Sequence, residues 1–224
     1  MNIEAVITAL LAAAFLSAVP LALAGVGEAI GERAGLLNLG TEGVMLIGAF
    51  AGFWVALETD SVYLGLLAGA ASGLIVGMLF GLIAVLLGAD QVLLGLGLTL
   101  AGGGLTAYLF REVFASNQPL LSVSMGRPFD SLVGDIPIVG PALFGQKWFF
   151  YVAWLVVVGV DVALRRTTLG LRIRAVGEAP FAVDASGISV VATQMVAATA
   201  AGIMCGLAGA SLTVVELGFF QPNV

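Results

Sequence analysis

The chain has 224 residues, of which 60% are hydrophobic and 10% are charged, and its mean hydropathy is +1.12. Soluble domains carry roughly 25% charged residues, so this composition excludes a water-soluble globular domain and indicates a chain embedded in lipid. The formal net charge is -6, and the eight Lys and Arg residues are scattered between apolar runs. Such scattering excludes the basic patch that nucleic-acid binding requires.

Six apolar runs follow one another along the chain, and each predicts a transmembrane helix. The runs are continuous rather than alternating, which favours helices over the strands of a membrane β-barrel. The predicted spans are Ala5–Ala24, Gly43–Leu57, Val62–Ala89, Val92–Phe110, Trp148–Leu164 and Val190–Val215. A helix needs about 20 residues to cross a bilayer, so the second run is short unless the preceding segment extends it. The sequence therefore predicts an all-α fold, a polytopic transmembrane helical bundle that forms a single domain over residues 1–224.

The basic residues predict the orientation of these spans. Half of them lie in the loop after the fifth span: Arg165, Arg166, Arg172 and Arg174. Because cytoplasmic loops are enriched in Lys and Arg, we place residues 165–189 in the cytoplasm. Counting spans from there makes residues 111–147 an external loop and puts residues 31–43 on the cytoplasmic side. The external loop is either a docking surface for a soluble partner or a plain connector.

The third span has a glycine at every fourth position: Gly65, Gly69, Gly73, Gly77 and Gly81. This spacing keeps the five glycines near one helix face, where another backbone can approach closely. The partner is either a helix of the same chain or a second copy of it. The run Gly102–Gly104 in the fourth span is likewise open to two interpretations, a helix break that lines a polar path or a tight crossing.

The sequence has no pattern typical of a catalytic or nucleotide site. The single lysine, Lys147, follows glutamine and precedes tryptophan, so it does not fit a P-loop. There is no histidine, and Cys205 lies in an apolar run where packing is its expected role. No metal site, cofactor or enzymatic activity is predicted. An ion- or proton-coupled carrier remains the alternative, although such carriers commonly bury acidic residues inside their spans, where this chain has almost none.

Residues 31–43 read GERAGLLNLGTEG and place three charged residues, Asn38 and four glycines between two apolar runs. A charged side chain in the hydrocarbon core is costly, so the charged residues here must face water, protein or each other. The glycines and Asn38 are typical of a turn, with Thr41 and Glu42 entering the next helix. The segment is either part of a transport path or gate, or a structural turn in which Arg33 pairs with an acid.

The loop of residues 165–189 contains a predicted short helix, Pro180–Ser186. Proline is favoured at the first helical position, and Gly187 is a typical stop. On physical grounds alone, this helix either touches lipid headgroups or fits a socket on a cytosolic partner.

Two motifs resemble the permease subunits of ABC importers in the ribose, simple-sugar, nucleoside and branched-chain amino acid group. The stretch TTLGLRIRAVGEAPFAVDASGIS, residues 167–189, resembles the loop that couples such permeases to their ATPase. The stretch GERAGLLNLGTEGVMLIGAF, residues 31–50, is similar to the nucleoside and simple-sugar branch, and GADQV, residues 88–92, resembles a further landmark. The sequence departs from the family at Phe181–Asp184, where relatives more often have an Ala-rich run with another charge.

The resemblance implies a permease of the plasma (inner) membrane that moves a nucleoside or simple sugar by alternating access. The implied partners are cytosolic ATP-binding subunits, a second homologous or identical permease, an extracytoplasmic substrate-binding protein, the small-molecule substrate and the lipid bilayer. The implied coupling residues are Gly170, Arg174, Gly177, Glu178, Pro180, Asp184, Ser186 and Gly187. Candidates for the path or gate are Asn38, Glu42 and Gln91. Because relatives continue with further spans, the sequence is expected to be truncated at its C-terminal end.

Overall fold

The computed structural model of this chain describes residues 3–115, 118–129 and 143–221. The helices are α1 (Ile3–Arg33), α2 (Thr41–Thr59), α3 (Val62–Gly81), α4 (Gln91–Phe114), α5 (Trp148–Arg166), α6 (Thr168–Glu178), α7 (Pro180–Ala185) and α8 (Val190–Ala210). Helices α3 and α8 each continue into a π-helical segment, Leu82–Leu86 and Ser211–Leu217 respectively.

Six helices are long and apolar enough to cross a membrane: α1, α2, α4, α5, and α3 and α8 with their π-helical segments. A helix that is hydrophobic all round suits either a protein core or a bilayer, and these helices leave many large apolar side chains exposed. The all-α polytopic bundle predicted from the sequence is therefore confirmed over the described residues.

The first two spans are longer than their apolar runs. Helix α1 continues past Ala24 to Arg33, so Glu28 and Arg33 lie on a helix rather than in a loop. Helix α2 begins at Thr41, which places Glu42 in its first turn, where the helix dipole favours a negative charge. The apolar runs are shorter than the helices because a helix continues through polar residues wherever protein or water surrounds them.

Helix α8 is central to the bundle and packs against α1, α2 and α3. All five glycines of the α3 stripe are buried. A Cβ at Gly73 would lie 2.8 Å from the Gly206 Cα, and one at Gly77 would lie 2.8 Å from the Gly202 Cα. The stripe thus lies inside the chain, and small residues on both helices let their backbones touch.

The run Gly102–Gly104 lies within the continuous helix α4. A Cβ at Gly102 would lie 2.6 Å from the carbonyl oxygen of Gly43 on α2. The run is therefore not a helix break. The missing Cβ of Gly102 permits a close crossing of α2 and α4.

Hydrogen bonds join the helix ends that the distribution of basic residues places on the external side. The Trp148 Nε1 donates to the Tyr63 hydroxyl over 3.0 Å, and the Leu121 amide donates to the Gly218 carbonyl over 2.9 Å. The Lys147 Nζ donates to the Val215 carbonyl. Within the predicted external loop of residues 111–147, residues 116–117 and 130–142 lie outside the described residues.

Candidate functional site

The end of α1 is a Schellman motif centred on Gly35. The Leu36 amide donates to the Gly31 carbonyl over 2.9 Å, and the Gly35 amide donates to the Glu32 carbonyl over 3.0 Å. Gly35 has a φ of 79°, which glycine adopts without the steric cost that a Cβ would bring. The motif turns the chain sharply and buries Ala34 and Leu36.

Residues 34–40 form the α1–α2 loop, and polar side chains from three helices hold its backbone. The Leu37 amide donates to the Gln91 Oε1 over 2.7 Å, and the Asn38 amide donates to a Glu28 carboxylate oxygen over 3.2 Å. The Gln194 Nε2 of α8 donates to the Ala34 carbonyl over 3.2 Å. Each bond gives a backbone amide or carbonyl of the loop a side-chain partner, so the loop is fixed to α1, α4 and α8 together.

Two of the three candidate path residues are therefore engaged in holding this loop. Gln91 binds the loop as described, and the Asn38 Oδ1 accepts from the Gly40 amide over 2.9 Å. Glycine also brings the loop against α4, because a Cβ at Gly95 would lie 2.8 Å from the Leu39 nitrogen. The alternative in which Arg33 pairs with an acid is not seen, since the one ion pair among the described residues joins Arg165 and Asp161 over 2.8 Å.

The loop of residues 165–189 folds into two short helices. Thr167 caps α6 by accepting a bond from the Gly170 amide over 3.1 Å, and α6 buries Ile173 and Val176 against the bundle. The helix predicted at Pro180–Ser186 is present as α7, with Pro180 in its first turn. Gly187, with a φ of 83°, ends α7 in a second Schellman motif.

Gly177 brings this loop into backbone contact with the α1–α2 loop. A Cβ at Gly177 would collide with the Arg33 carbonyl oxygen and would lie 3.1 Å from the Gly35 nitrogen. On the other side, a Cβ at Gly35 would lie at an ordinary contact distance of 3.5 Å from the Gly177 Cα, and the φ of 79° is what favours glycine there. Helix α6 is therefore in direct backbone contact with the end of α1 and the start of the loop.

The outer face of α7 is uncovered. Phe181 is 91% exposed, and Asp184 is also exposed. A cleft of about 490 Å³ separates α6 from α7, with Arg172 and Glu178 on its walls. The Arg174 Nε is buried without a hydrogen bond to any described residue. The face thus presents a large aromatic side chain beside charged groups.

A second cleft, of about 220 Å³, lies between α2 and the π-helical end of α8. We call it the α2–α8 cleft. Its lining includes Glu42, Met45, Ala49, Thr213, Phe219 and Gln221. Glu42 is the third candidate path residue. Unlike Asn38 and Gln91, which bond the α1–α2 loop, it lines the wall of this cleft.

Two acidic residues lie deeper among the helices than the sequence indicated. Glu28 is half-buried on α1 and accepts from the Asn38 amide. Glu216, expected just past the sixth span, lies within the π-helical segment, where one carboxylate oxygen bonds Ser17 and the Oε1 is buried without a partner among the described residues. Glu28 thus bonds the backbone of the α1–α2 loop. Among the described residues, Glu216 has a partner for only one of its two carboxylate oxygens.

Comparison with known proteins identifies the chain. The family model described as "Branched-chain amino acid transport system / permease component" matches residues 10–223. The chain belongs to this permease family. The resemblance noted in the sequence is thereby confirmed.

Three relatives of the permease are named for sugar or nucleoside transport. A Haloferax volcanii protein, provisionally named a glucose ABC transporter permease, is 38% identical over 96% of this chain and 65% of its own length. A guanosine ABC transporter permease of Bacillus subtilis is 29% identical over 93% of this chain and 68% of its own. A nucleoside ABC transporter permease of Lactococcus lactis is 30% identical over 100% of this chain and 73% of its own.

The permease chain therefore spans about two thirds of the length of these relatives. These relatives are permease subunits rather than enzymes. No solved structure matches the chain.

Phe181 lies within the coupling-loop motif, although its exposure could not be predicted from that motif. Two further residues of the site, Gln194 and Thr213, carry no motif at all. Gln194 is a lone amide in an apolar span, and Thr213 is a small residue that is common in any helix. The only available signal was the polar side chain of Gln194 within a hydrophobic run. Its partner, a backbone carbonyl 160 positions away, is invisible in the sequence.

Proposed function

We propose that this protein is the transmembrane permease subunit of an ABC importer in the plasma (inner) membrane, with a simple sugar or a nucleoside as its cargo. Membership of the permease family supports the class, and the names of the relatives support the cargo. ATP hydrolysis takes place on separate cytosolic subunits. A second permease completes the pore, and an extracytoplasmic binding protein delivers the solute.

The observation that carries the mechanism is the contact of Gly177 with Arg33 and Gly35. The coupling loop, residues 165–189, lies at the same end of the bundle as the α1–α2 loop, and α6 touches that loop through backbone atoms. ATP-driven movement of docked ATP-binding subunits would push α7 and α6, and α6 would push the α1–α2 loop. Gln91 and Gln194 then pass the displacement to α4 and α8 through their hydrogen bonds.

The exposed face of α7 is the proposed docking surface for an ATP-binding subunit. An exposed aromatic side chain that enters a pocket on a partner is typical of an interface hot spot. Phe181 fills that role, with Glu178 and Asp184 beside it as charged neighbours. Lipid contact is a poorer explanation, because Glu178 and Asp184 would then face the apolar side of the interface.

A mild-detergent pull-down of the full-length gene product from its native membrane tests this proposal. We expect a P-loop ATPase to co-purify, and we expect Phe181→Asp and Glu178→Arg to abolish its recovery while the permease still inserts. Leu120→Asp is the control, because Leu120 is a 72% exposed apolar residue outside the coupling loop. Recovery of a stable complex without an ATPase that transports under an ion gradient would instead support the ion-coupled alternative.

A further inference from the structure

The α2–α8 cleft has features of a ligand site that helix packing alone does not explain. Its wall on one side is the π-helical segment Ser211–Leu217, which ends α8. The segment is held by a bond from the Gly218 amide to the Thr213 carbonyl over 2.8 Å. Clefts between the helices of a bundle are a common place for small-molecule sites.

The polar groups of the cleft are few and are placed on a mostly apolar wall. Thr213 is only 4% exposed, and its hydroxyl donates to the Ala49 carbonyl over 3.0 Å. Because a hydroxyl has one proton and two lone pairs, Thr213 can still accept a bond from a ligand. The Glu42 carboxylate has no hydrogen bond or ion pair to the described residues, and it can accept two or more hydrogen bonds from hydroxyl groups.

The aromatic residue Phe219 also lines the cleft, and the neighbouring Phe220 is buried against Phe50 and Phe110 at ring-centroid distances of 5.6 Å each. This cluster makes the wall beside Phe219 rigid. A rigid aromatic face next to hydroxyl-binding groups suits a solute that combines an apolar ring face with several hydroxyls. A cleft of about 220 Å³ is smaller than the pockets of drug-sized ligands, so it suits a monosaccharide or nucleoside.

We propose that the α2–α8 cleft is a contact site for the transported solute, with Glu42 and Thr213 as the groups that bind its hydroxyls and Phe219 as the surface for its ring face. This inference rests on the proposed function, because it names where the cargo touches the permease. It assigns a role to Thr213, which no motif indicates, and separates Glu42 from the loop-holding residues Asn38 and Gln91.

Uptake kinetics of the full-length permease, reconstituted with its ATP-binding and solute-binding partners, test the assignment. A panel of labelled aldoses and ribonucleosides serves as probe. We expect Thr213→Val, which keeps the shape and removes the hydroxyl, to raise the uptake KM about fivefold or more, as expected for loss of one hydrogen bond. Thr213→Ser restores the hydroxyl and should bring the KM back towards that of the unmodified permease, and Glu42→Gln should also raise the KM.

Thr106→Val is the matched control. Thr106 is 1% exposed, and its hydroxyl bonds the Gly102 carbonyl of α4 over 2.7 Å, outside the cleft. The uptake KM of Thr106→Val should equal that of the unmodified complex. Unchanged KM values in Thr213→Val and Glu42→Gln overturn this inference alone, whereas absence of ATP-dependent uptake for every probe by the unmodified complex overturns the proposed function and this inference with it.

A second measurement covers the case in which a cleft variant fails to fold. Leu46→Cys places a thiol in the cleft, while the native Cys205 is buried. We expect the transported solute to slow labelling of this thiol by a small methanethiosulfonate reagent. Ser72→Cys, at a half-buried position on α3 outside the cleft, should be labelled at the same rate with and without solute. Equal labelling of Leu46→Cys in both conditions overturns the inference.

Discussion

Lys147 is the single lysine of the chain and lies just before α5, where its ammonium bonds the Val215 carbonyl. Burial lowers the pKa of this amine from its ordinary value of 10.5, the positive charge of Arg127 lowers it further, and the carboxylate of Glu216 partly opposes both. The folded protein therefore holds this proton less tightly than the unfolded chain does. It follows that stability rises as the pH increases from the folded-state pKa towards the ordinary value.

We predict that an amine-acylating reagent modifies Lys147 at a lower pH in the folded protein than in the denatured chain. Mass spectrometry of the labelled peptide, measured across pH, separates this lysine from the N-terminal amine. Arg127→Gln removes a like charge and should shift the labelling midpoint upwards. Identical midpoints in the folded and denatured protein would contradict the lowered pKa.

Individual residues differ in how far the sequence revealed their role. The roles of the regularly spaced α3 glycines and of the turn residues Gly35 and Gly187 could be predicted from the sequence, because positive φ and close backbone approach both favour glycine. The roles of Gln194 and Thr213 could not be predicted, because their hydrogen-bond partners are backbone carbonyls far away in the sequence. A side chain that bonds a carbonyl far along the chain leaves no local pattern.

At the scale of elements, the crossing of α3 and α8 brings two helix backbones into direct contact. Gly73 meets Gly202 and Gly206 of α8 without room for a Cβ. Packed interiors resist added volume, and forcing extra methylene groups into one typically costs about 1–3 kcal/mol. Both helices must therefore separate if any side chain is added there.

We predict that Gly73→Leu lowers the yield of folded protein in the membrane and reduces its melting temperature by several degrees. Fluorescence-detected size-exclusion chromatography after heating provides the measurement. Gly104→Ala is the control, because no atom lies within 4 Å of the position of its Cβ and alanine has a higher helix propensity than glycine by about 1 kcal/mol. A Gly73→Leu protein as stable as the control would contradict the packing account.

At the scale of the whole molecule, the coupling loop and the α1–α2 loop form one connected surface at one end of the bundle. Each loop ends a helix with a Schellman motif, and the two meet at Gly177 and Gly35. The connection explains why charged and glycine-rich segments that are far apart in the sequence lie together. It also predicts that a small change in one loop alters transport without removing a helix.

We predict that Gly177→Ala uncouples transport, with ATP hydrolysis by the assembled complex retained and solute uptake reduced about tenfold. An added methyl collides with the Arg33 carbonyl, and relieving such overpacking costs about 1–3 kcal/mol, which displaces α6 from the loop. Gly177→Asp, which adds a larger side chain at the same contact, should also uncouple the complex. Parallel measurements of ATPase activity and uptake in proteoliposomes give the ratio of solute moved to ATP consumed.

Gly159→Ala is the matched control for this variant, since Gly159 lies on α5 with no atom within 4 Å of its added Cβ. Its ratio of uptake to ATP hydrolysis should equal that of the unmodified complex. Normal coupling in Gly177→Ala would show that the contact between the two loops does not transmit movement.

By itself, the sequence determined the class of the protein, the six spans found among the described residues, the presence of α7 and the family. The effects of hydropathy, proline and glycine extend over a few neighbouring residues, and a motif is a short run of residues in a fixed order. Each of these features can therefore be predicted from a short stretch of sequence. Only the tertiary structure decided that the glycine stripe faces α8 and, at Gly65, α2, that Gly102 permits a crossing, and that Gln91 and Asn38 hold a loop while Glu42 lines a cleft. Those assignments depend on which helix lies beside which, and a uniformly apolar helix gives no indication of its neighbours because every face of it is equally hydrophobic.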